Sequence, residues 1–358
     1  MGARTEREVR IFVLARHPSP LTFHSAEARA LPRAASVDRA PLARRQFGAG
    51  TAHQLEAMID TPSQAPAAPG HLPGPRHATG GLAAKWKALL FMAGVLFLFP
   101  LALVPANWLS ARGLLQGRAA WTAAMHWGAL LAVLVPTTVA AWCEGQPVGS
   151  FGLAWRAGRG RLLAEGVAWG VGAAGLLAGL LHATGGARGH GLTLGAREAI
   201  RSGATWGLAM LGVALFDQSL KRGYLQSTLG RALGFWQAAW LLSVLFTLEK
   251  MLAYRNPLEL TGFLVTGLLA CLTLRRTGDL WFAVGLQTGL EWSMVFLFGM
   301  GLPITSLRPP GALMRVDMQG PVWLSGGEEG FYASAFFLGL LVILAWGVQR
   351  RFPSPNST

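Results

Sequence analysis

Three short stretches place ionisable and hydrogen-bonding side chains inside otherwise apolar sequence. The first runs Asp217-Gln218-Ser219-Leu220-Lys221-Arg222. The second runs from Ser243 through Phe246 and Glu249 to Lys250, and the third from Asp279 through Gln287 to Glu291. Asp217, Glu249 and Glu291 could hold a cation or take up a proton, so a carboxylate-only hydrolytic site is one reading. Lys221, Arg222 and Lys250 lie in the same stretches, and charges buried together in an apolar medium tend to pair. A structural ion-pair network is therefore the favoured reading, with a ligand or ion pathway as the third. Phe246 and Lys250 are one helical turn apart, as are Gln287 and Glu291, so each pair shares a helix face.

The elements that carry these stretches are membrane helices. The 358 residues are 52% hydrophobic and only 13% charged, against about 25% charged in ordinary soluble domains. Fourteen Trp and 46 Gly fit the same class, since Trp sits at bilayer interfaces and Gly is frequent in membrane helices. Segments of about 20 apolar residues occur near 86–104, 119–142, 162–182, 203–220, 236–254, 258–274, 280–300 and 332–349. The fold expected is an all-α bundle of about eight transmembrane helices, with the lipid bilayer as its first partner. The third segment is rich in Gly and Ala, which permits close helix packing.

A net charge of +14 reads as basic loops against anionic headgroups rather than as a nucleic-acid surface. With the N-terminus inside, Arg156, Arg159 and Arg161, then Lys221, Arg222 and Arg231, then Arg275 and Arg276, then Arg350 and Arg351 all fall on the cytoplasmic side. Both termini are therefore expected in the cytoplasm, and a bacterial cell (inner) membrane is the expected location. Residues 1–84 hold ten of the 31 basic residues, all Arg, and the run 62–81 is rich in Pro, Gly and Ala. That tail is expected to be disordered, with Met58 an alternative start. Cys143 and Cys271 are far apart in sequence, lack a CxxC pairing, and are expected to be buried free thiols. The Gly185–Gly191 stretch reads as a flexible loop, and Glu328-Glu329 as a solvated loop leading into the last helix.

The order of the motifs resembles the CAAX-protease and bacteriocin-processing family of intramembrane metalloproteases. Arg222-Gly223-Tyr224-Leu225-Gln226 is similar to the end of that family's EExxxRGYLQ motif. Leu245-Phe246 is similar to the middle of SxLFxxxH, and Arg275-Arg276-Thr277-Gly278-Asp279-Leu280-Trp281 to the lead into the last histidine motif. The PVWLSGG run before the final helix also fits, and the resemblance covers roughly residues 150–350, the tail standing apart from a transmembrane domain at 85–350. It implies a bundle whose polar positions face one cavity, where a Glu activates water with His help and a divalent cation takes part.

The departures fall where that chemistry would sit. The Glu-Glu pair is replaced by Asp217 and Gln218, the first His by Lys250, the second His by Gln287 and the following Asn or Asp by Glu291; Arg222 and Phe246 are kept. A charged Lys has no lone pair for a metal, and Gln cannot take up a proton. All eight His lie at or before residue 190, so only His126 or His182 could reach in from another helix. No cofactor is expected. The positions implied to converge predict an ion pair between Lys250 and Glu291, with Asp217 competing for the Lys and Arg222 as the second cation. The function expected is that of a catalytically impaired or inactive family member that binds a membrane protein or peptide. A working endopeptidase with a rearranged site is the alternative, and a transporter-like or structural membrane protein the third.

Overall fold

A computed structural model describes residues 81–252, 254–300, 310–327 and 330–353. Its order is α1 (Gly81–Ala111), α2 (Arg118–Cys143), α3 (Arg159–Ala183), β1 (Ala187–Leu192), α4 (Ala196–Gln218), a π-helical turn (Ser219–Tyr224) and α5 (Leu225–Leu233). There follow α6 (Phe235–Lys250), α7 (Pro257–Thr277), α8 (Trp281–Trp292), β2 (Met314–Met318), the single turn α9 (Val322–Ser325) and α10 (Ala335–Arg351). A helix stands at each of the eight apolar segments, so the all-α bundle is what the chain builds. By length and composition, five helices among the described residues can cross a membrane: 83–111, 118–143, 159–183, 196–233 and 257–277. The helices α6, α8 and α10 are shorter.

The boundaries follow local chemistry. Asn256 accepts a hydrogen bond from the Leu258 amide at the start of α7, with Pro257 behind it at the first helical position, and Gly278 closes the helix in the left-handed region (φ 77°). Ser334 caps α10 in the same way through the Phe336 amide. The α1 helix is the most lipid-like, with mean hydropathy 2.4 and only 11% of its apolar window buried by protein. Leu90 and Phe97 are accordingly more than 70% exposed.

Several expectations change. Gly81–Ala84 are helical, so α1 begins inside the segment expected to be disordered; the remainder of that tail, Met58 and Glu328-Glu329 lie outside the described residues. The expected loop at Gly185–Gly191 is largely strand: β1 pairs antiparallel with β2, Arg188 opposite Asp317 and Ala187 opposite Met318. The alternation of small and basic residues hid this strand, because its partner lies more than a hundred residues away. Cys143 is exposed and Cys271 buried. The fourth segment does not end at residue 220 but runs on to Leu233 through the π-helical turn. Lys221 and Arg222 therefore sit within the bundle, not in a cytoplasmic loop.

The tightest helix pair is α3 against α8. A Cβ on Gly166 or Gly170 would strike the backbone of Phe282 or Leu286, and one on Gly285 or Gly289 the backbone of Leu163 or Val167. Two GxxxG runs, Gly166–Gly170 and Gly285–Gly289, thus let the helices touch along their backbones. The Gly172, Gly175 and Gly179 positions of the Gly-rich stretch face open space. Around this seam packs the largest apolar cluster, including Leu177, Leu181, Phe282, Met294, Phe331 and Phe337.

Candidate functional site

Asp217 and Gln218 close α4, and the π-helical turn that follows carries Lys221 and Arg222. The turn includes a break at Gly223 (ψ −110°), and π-helical turns of this kind occur often at functional sites. Lys221 Nζ lies 2.7 Å from Asp217 Oδ1, one turn away, and sits over the Phe246 ring at 5.4 Å. Arg222 is buried and donates through Nη2 to the carbonyl of Gly267 on α7 at 3.1 Å. Gly267 is required there: a Cβ would come within 2.8 Å of Ser243 Oγ and 3.2 Å of that Arg222 nitrogen.

The α8 helix brings the second half of the site. Its start is pinned by Arg159 to Asp279 at 2.6 Å, by Asp279 Oδ1 accepting from the Trp281 amide, and by the Trp281 indole donating to the Ala154 carbonyl. Burial pushes the Asp279 carboxyl above its ordinary range, and the Arg159 charge only partly offsets it. With the glycine face of α8 turned to α3, Gln287 and Glu291 meet α4. Gln287 Nε2 donates to Asp217 Oδ2 at 3.1 Å and to Glu291 Oε1 at 3.1 Å. Its Oε1 accepts from Gln218 Nε2 at 2.7 Å. Tyr332, ahead of α10, donates to the same Glu291 oxygen at 3.2 Å.

Five of the seven singled-out positions thus meet: Asp217, Gln218, Gln287 and Glu291 in one network, with Phe246 against the Lys221 that anchors it. Arg222 faces α7 instead. The predicted Lys250–Glu291 pair is not formed. Lys250 stands at the end of α6 and pairs with its neighbour Glu249 at 3.5 Å, while Glu291 is held by Gln287 and Tyr332. The fixed period of α6 placed Lys250 on the right face, but the helix ends at that residue. Tyr332 was missed by spacing arguments. Its signal was scarcity, since the chain has three Tyr and a phenol at the head of an apolar helix must find an acceptor when buried. His126 keeps its Nδ1 within hydrogen-bond distance of Thr122 O on its own helix, with its ring edge-on to Phe216. His182 contacts the Ala187 carbonyl. Neither hydrogen-bonds to a residue of the site.

Residues 199–293 match the family model for type II CAAX prenyl endopeptidase Rce1-like proteins. Over this segment the chain is similar to the CAAX-protease and bacteriocin-processing family. No curated protein and no solved structure matches it. The matched segment runs from α4 to the end of α8 and holds all seven singled-out positions, with Lys250 at the last residue of α6.

The metal that this family implies does not fit the donors present. Lys250 brings a cation to one ligand position. At the other, Gln287 has its carbonyl oxygen taken by Gln218 and turns its two hydrogens toward the carboxylates. Among the described residues, no group of three or more His, Cys, Asp or Glu is placed to hold an ion. What the arrangement offers a ligand is acceptors: Gln218 Oε1 and Glu291 Oε2 are buried and have no hydrogen-bond partner among the described residues.

Proposed function

We propose that this integral membrane protein is a catalytically impaired or inactive family member whose former active-site cavity binds a membrane protein or peptide. The observation that carries the reading is the Gln287 amide, which donates to Asp217 and Glu291 together while Lys221 pairs with Asp217. Both carboxylates are engaged by side chains that cannot exchange protons near neutral pH. The two unpartnered acceptors suit a partner that brings N–H groups, since a buried acceptor left unpaired costs about 1–3 kcal/mol. No tightly bound zinc is part of this reading, and none is needed for binding. Both termini are placed in the cytoplasm of a bacterial cell; residues 310 and 354, changed to Cys, should then label from opposite sides.

The test is cleavage of a prenylated CAAX-type peptide by the full chain in lipid nanodiscs. No turnover above an empty-nanodisc control is expected. Reinstating the family residues together (Asp217→Glu, Gln218→Glu, Lys250→His and Gln287→His) should create turnover or divalent-cation binding. Cleavage by the wild type that is abolished by Asp217→Ala would overturn the proposal. It would establish the second reading, a rearranged endopeptidase, which the convergence of Asp217 and Glu291 on one amide favours.

A further inference from the structure

The groove between α1 and α2 is lined, apart from Tyr224, by residues outside the family-matched segment. It is a cleft of about 450 Å³ lined by Leu90, Gly94, Phe97, Val135, Pro136 and Val139 among others, with Lys87, Glu144 and Tyr224 at one end. That volume falls in the range of small-molecule sites, about 300–1,000 Å³. Gly94 and Pro136 face each other, 3.4 Å from a Cβ built on the glycine, so small and compact residues keep the cleft open. Phe97 and Val139 are 73% and 55% exposed, which leaves it open to lipid along its length.

The polar end is a built cluster. Glu144 Oε1 accepts from Lys87 Nζ and from the Tyr224 hydroxyl, both at 3.0 Å, and Oε2 accepts from Arg231 Nη2 at 3.0 Å. Two cations around one carboxylate leave a positive charge over. Glu144 is nearly enclosed, its side chain 9% exposed, whereas those of Lys87 and Arg231 are 36% and 39% exposed. Among the described residues Lys87 uses one of its three donors, and the Arg231 Nε and Nη1 groups make no hydrogen bond. Depth is set by neighbours: Trp86 precedes Lys87, Trp142 lies two residues before Glu144, and both indoles are exposed, at 59% and 81%. Exposed indoles mark the headgroup level of a bilayer. The charged end therefore lies at headgroup depth and the apolar cleft at acyl-chain depth.

We infer that this groove is a binding site for one anionic phospholipid of the surrounding leaflet. Its phosphate would sit on Lys87 and Arg231, and one acyl chain along the cleft between α1 and α2. The surplus charge selects the anionic headgroup, and the cleft holds the chain in register with it.

The test is native mass spectrometry of the full chain with equal amounts of phosphatidylglycerol and phosphatidylcholine of matched chains. One phosphatidylglycerol should be retained in about fivefold preference, the effect of one basic charge at a membrane surface. Glu144→Gln, which doubles the surplus charge, should strengthen that preference. Lys87→Gln with Arg231→Gln should abolish it, as should the triple variant that adds Glu144→Gln and so leaves no orphaned carboxylate. Val139→Trp, at an exposed lining position, should reduce retention of both lipids by filling the cleft. Equal retention of the two lipids by the wild type, or an unchanged preference in the double and triple variants, overturns the inference.

Discussion

Two polar nodes in this protein are built in opposite ways. At Gln287 one neutral amide serves two carboxylates, Asp217 and Glu291, deep between α4 and α8. At Glu144 one carboxylate collects three donors, two of them charged, where α1, α2 and α5 meet at the ends of helices. The inner node is short of donors and the outer node has cations to spare. The difference follows from surroundings. Surplus charge is tolerable beside headgroups and water and costly inside a bundle, so the inner node pairs Asp217 with Lys221 and holds Glu291 with a neutral amide and a phenol. A ligand of the inner node must bring N–H groups, whereas a ligand of the outer one must bring an anion. The same side chain, Tyr, completes both: Tyr332 on Glu291 and Tyr224 on Glu144.

The sharpest way to separate the nodes is through the seam that positions only one of them. Gly285→Leu forces a side chain into the Leu163 carbonyl and to within 2.9 Å of the Val167 amide nitrogen. Overpacking against backbone should destabilise by about 3 kcal/mol or more, read as a large drop in detergent unfolding temperature. Gly285→Ala should give the same effect in weaker form while the phospholipid preference at Glu144 survives. A silent Gly285→Ala would mean that α3 and α8 do not touch as described.

The inner node can next be broken directly. Gln287→Leu removes the donor shared by Asp217 and Glu291 and leaves two carboxylates facing one another, Glu291 buried and Asp217 partly so. A loss of about 2–3 kcal/mol is expected. Adding Glu291→Leu should recover part of it, because the orphaned carboxylate goes with its donor. If the double variant is instead as unstable as the sum of the singles, the amide is not the bridge.

Much of this was legible in the chain and some was not. The helices were visible because the bilayer imposes a length and a polarity that composition reveals directly. Asp217, Gln218, Gln287 and Glu291 could be placed at one site because the family resemblance implies that their helices converge, while spacing puts Gln287 and Glu291 on one face of α8. The GxxxG seam was only half legible: the Gly-rich run of α3 pointed to close packing, but Gly166 and Gly170 do the packing, and no single-helix pattern says which face meets which neighbour. Partners supplied from a distant segment were beyond spacing altogether. Tyr332 reaches Glu291 from 41 residues on and Arg231 reaches Glu144 from 87, and the β1–β2 pairing has no local signature at all.

The outer node should respond to pH with a defined sign. Burial pushes the Glu144 carboxyl up, but the hydrogen bonds from Lys87 and Tyr224 and the Arg231 charge outweigh it and hold the group below its ordinary value of 4.5. A folded-state value below the unfolded one stabilises the protein above the unfolded value, and that contribution fades as pH falls through the folded one. Glu144→Gln should therefore cost about 1–2 kcal/mol at pH 7. The gap to the wild type should hold down to about pH 4.5 and close below it. Unfolding temperatures of the two proteins across that range are the measurement, and a gap that widens on acidification would show the wrong sign.

The smallest effect is a coupling expected to be absent. The family resemblance implies that Lys250 and Glu291 face one cavity, and a buried Lys beside a buried Glu would be strongly coupled. In the structure Lys250 has a nearer carboxylate in Glu249, sits at the last residue of α6 with its side chain 25% exposed, and can reach toward water. Glu291 is buried and already held through one oxygen by Gln287 and Tyr332. Removing either partner should then leave the other unaffected. In a double-mutant cycle, Lys250→Met and Glu291→Gln should add to within about 0.5 kcal/mol, the ordinary limit for sites that share no contact. The Gln287→Leu and Glu291→Leu pair, measured the same way, supplies the positive control for coupling within the inner node. Coupling of about 1 kcal/mol or more between Lys250 and Glu291 would instead mean that the Lys turns inward. The inner node would then possess the charged donor that now distinguishes the outer one.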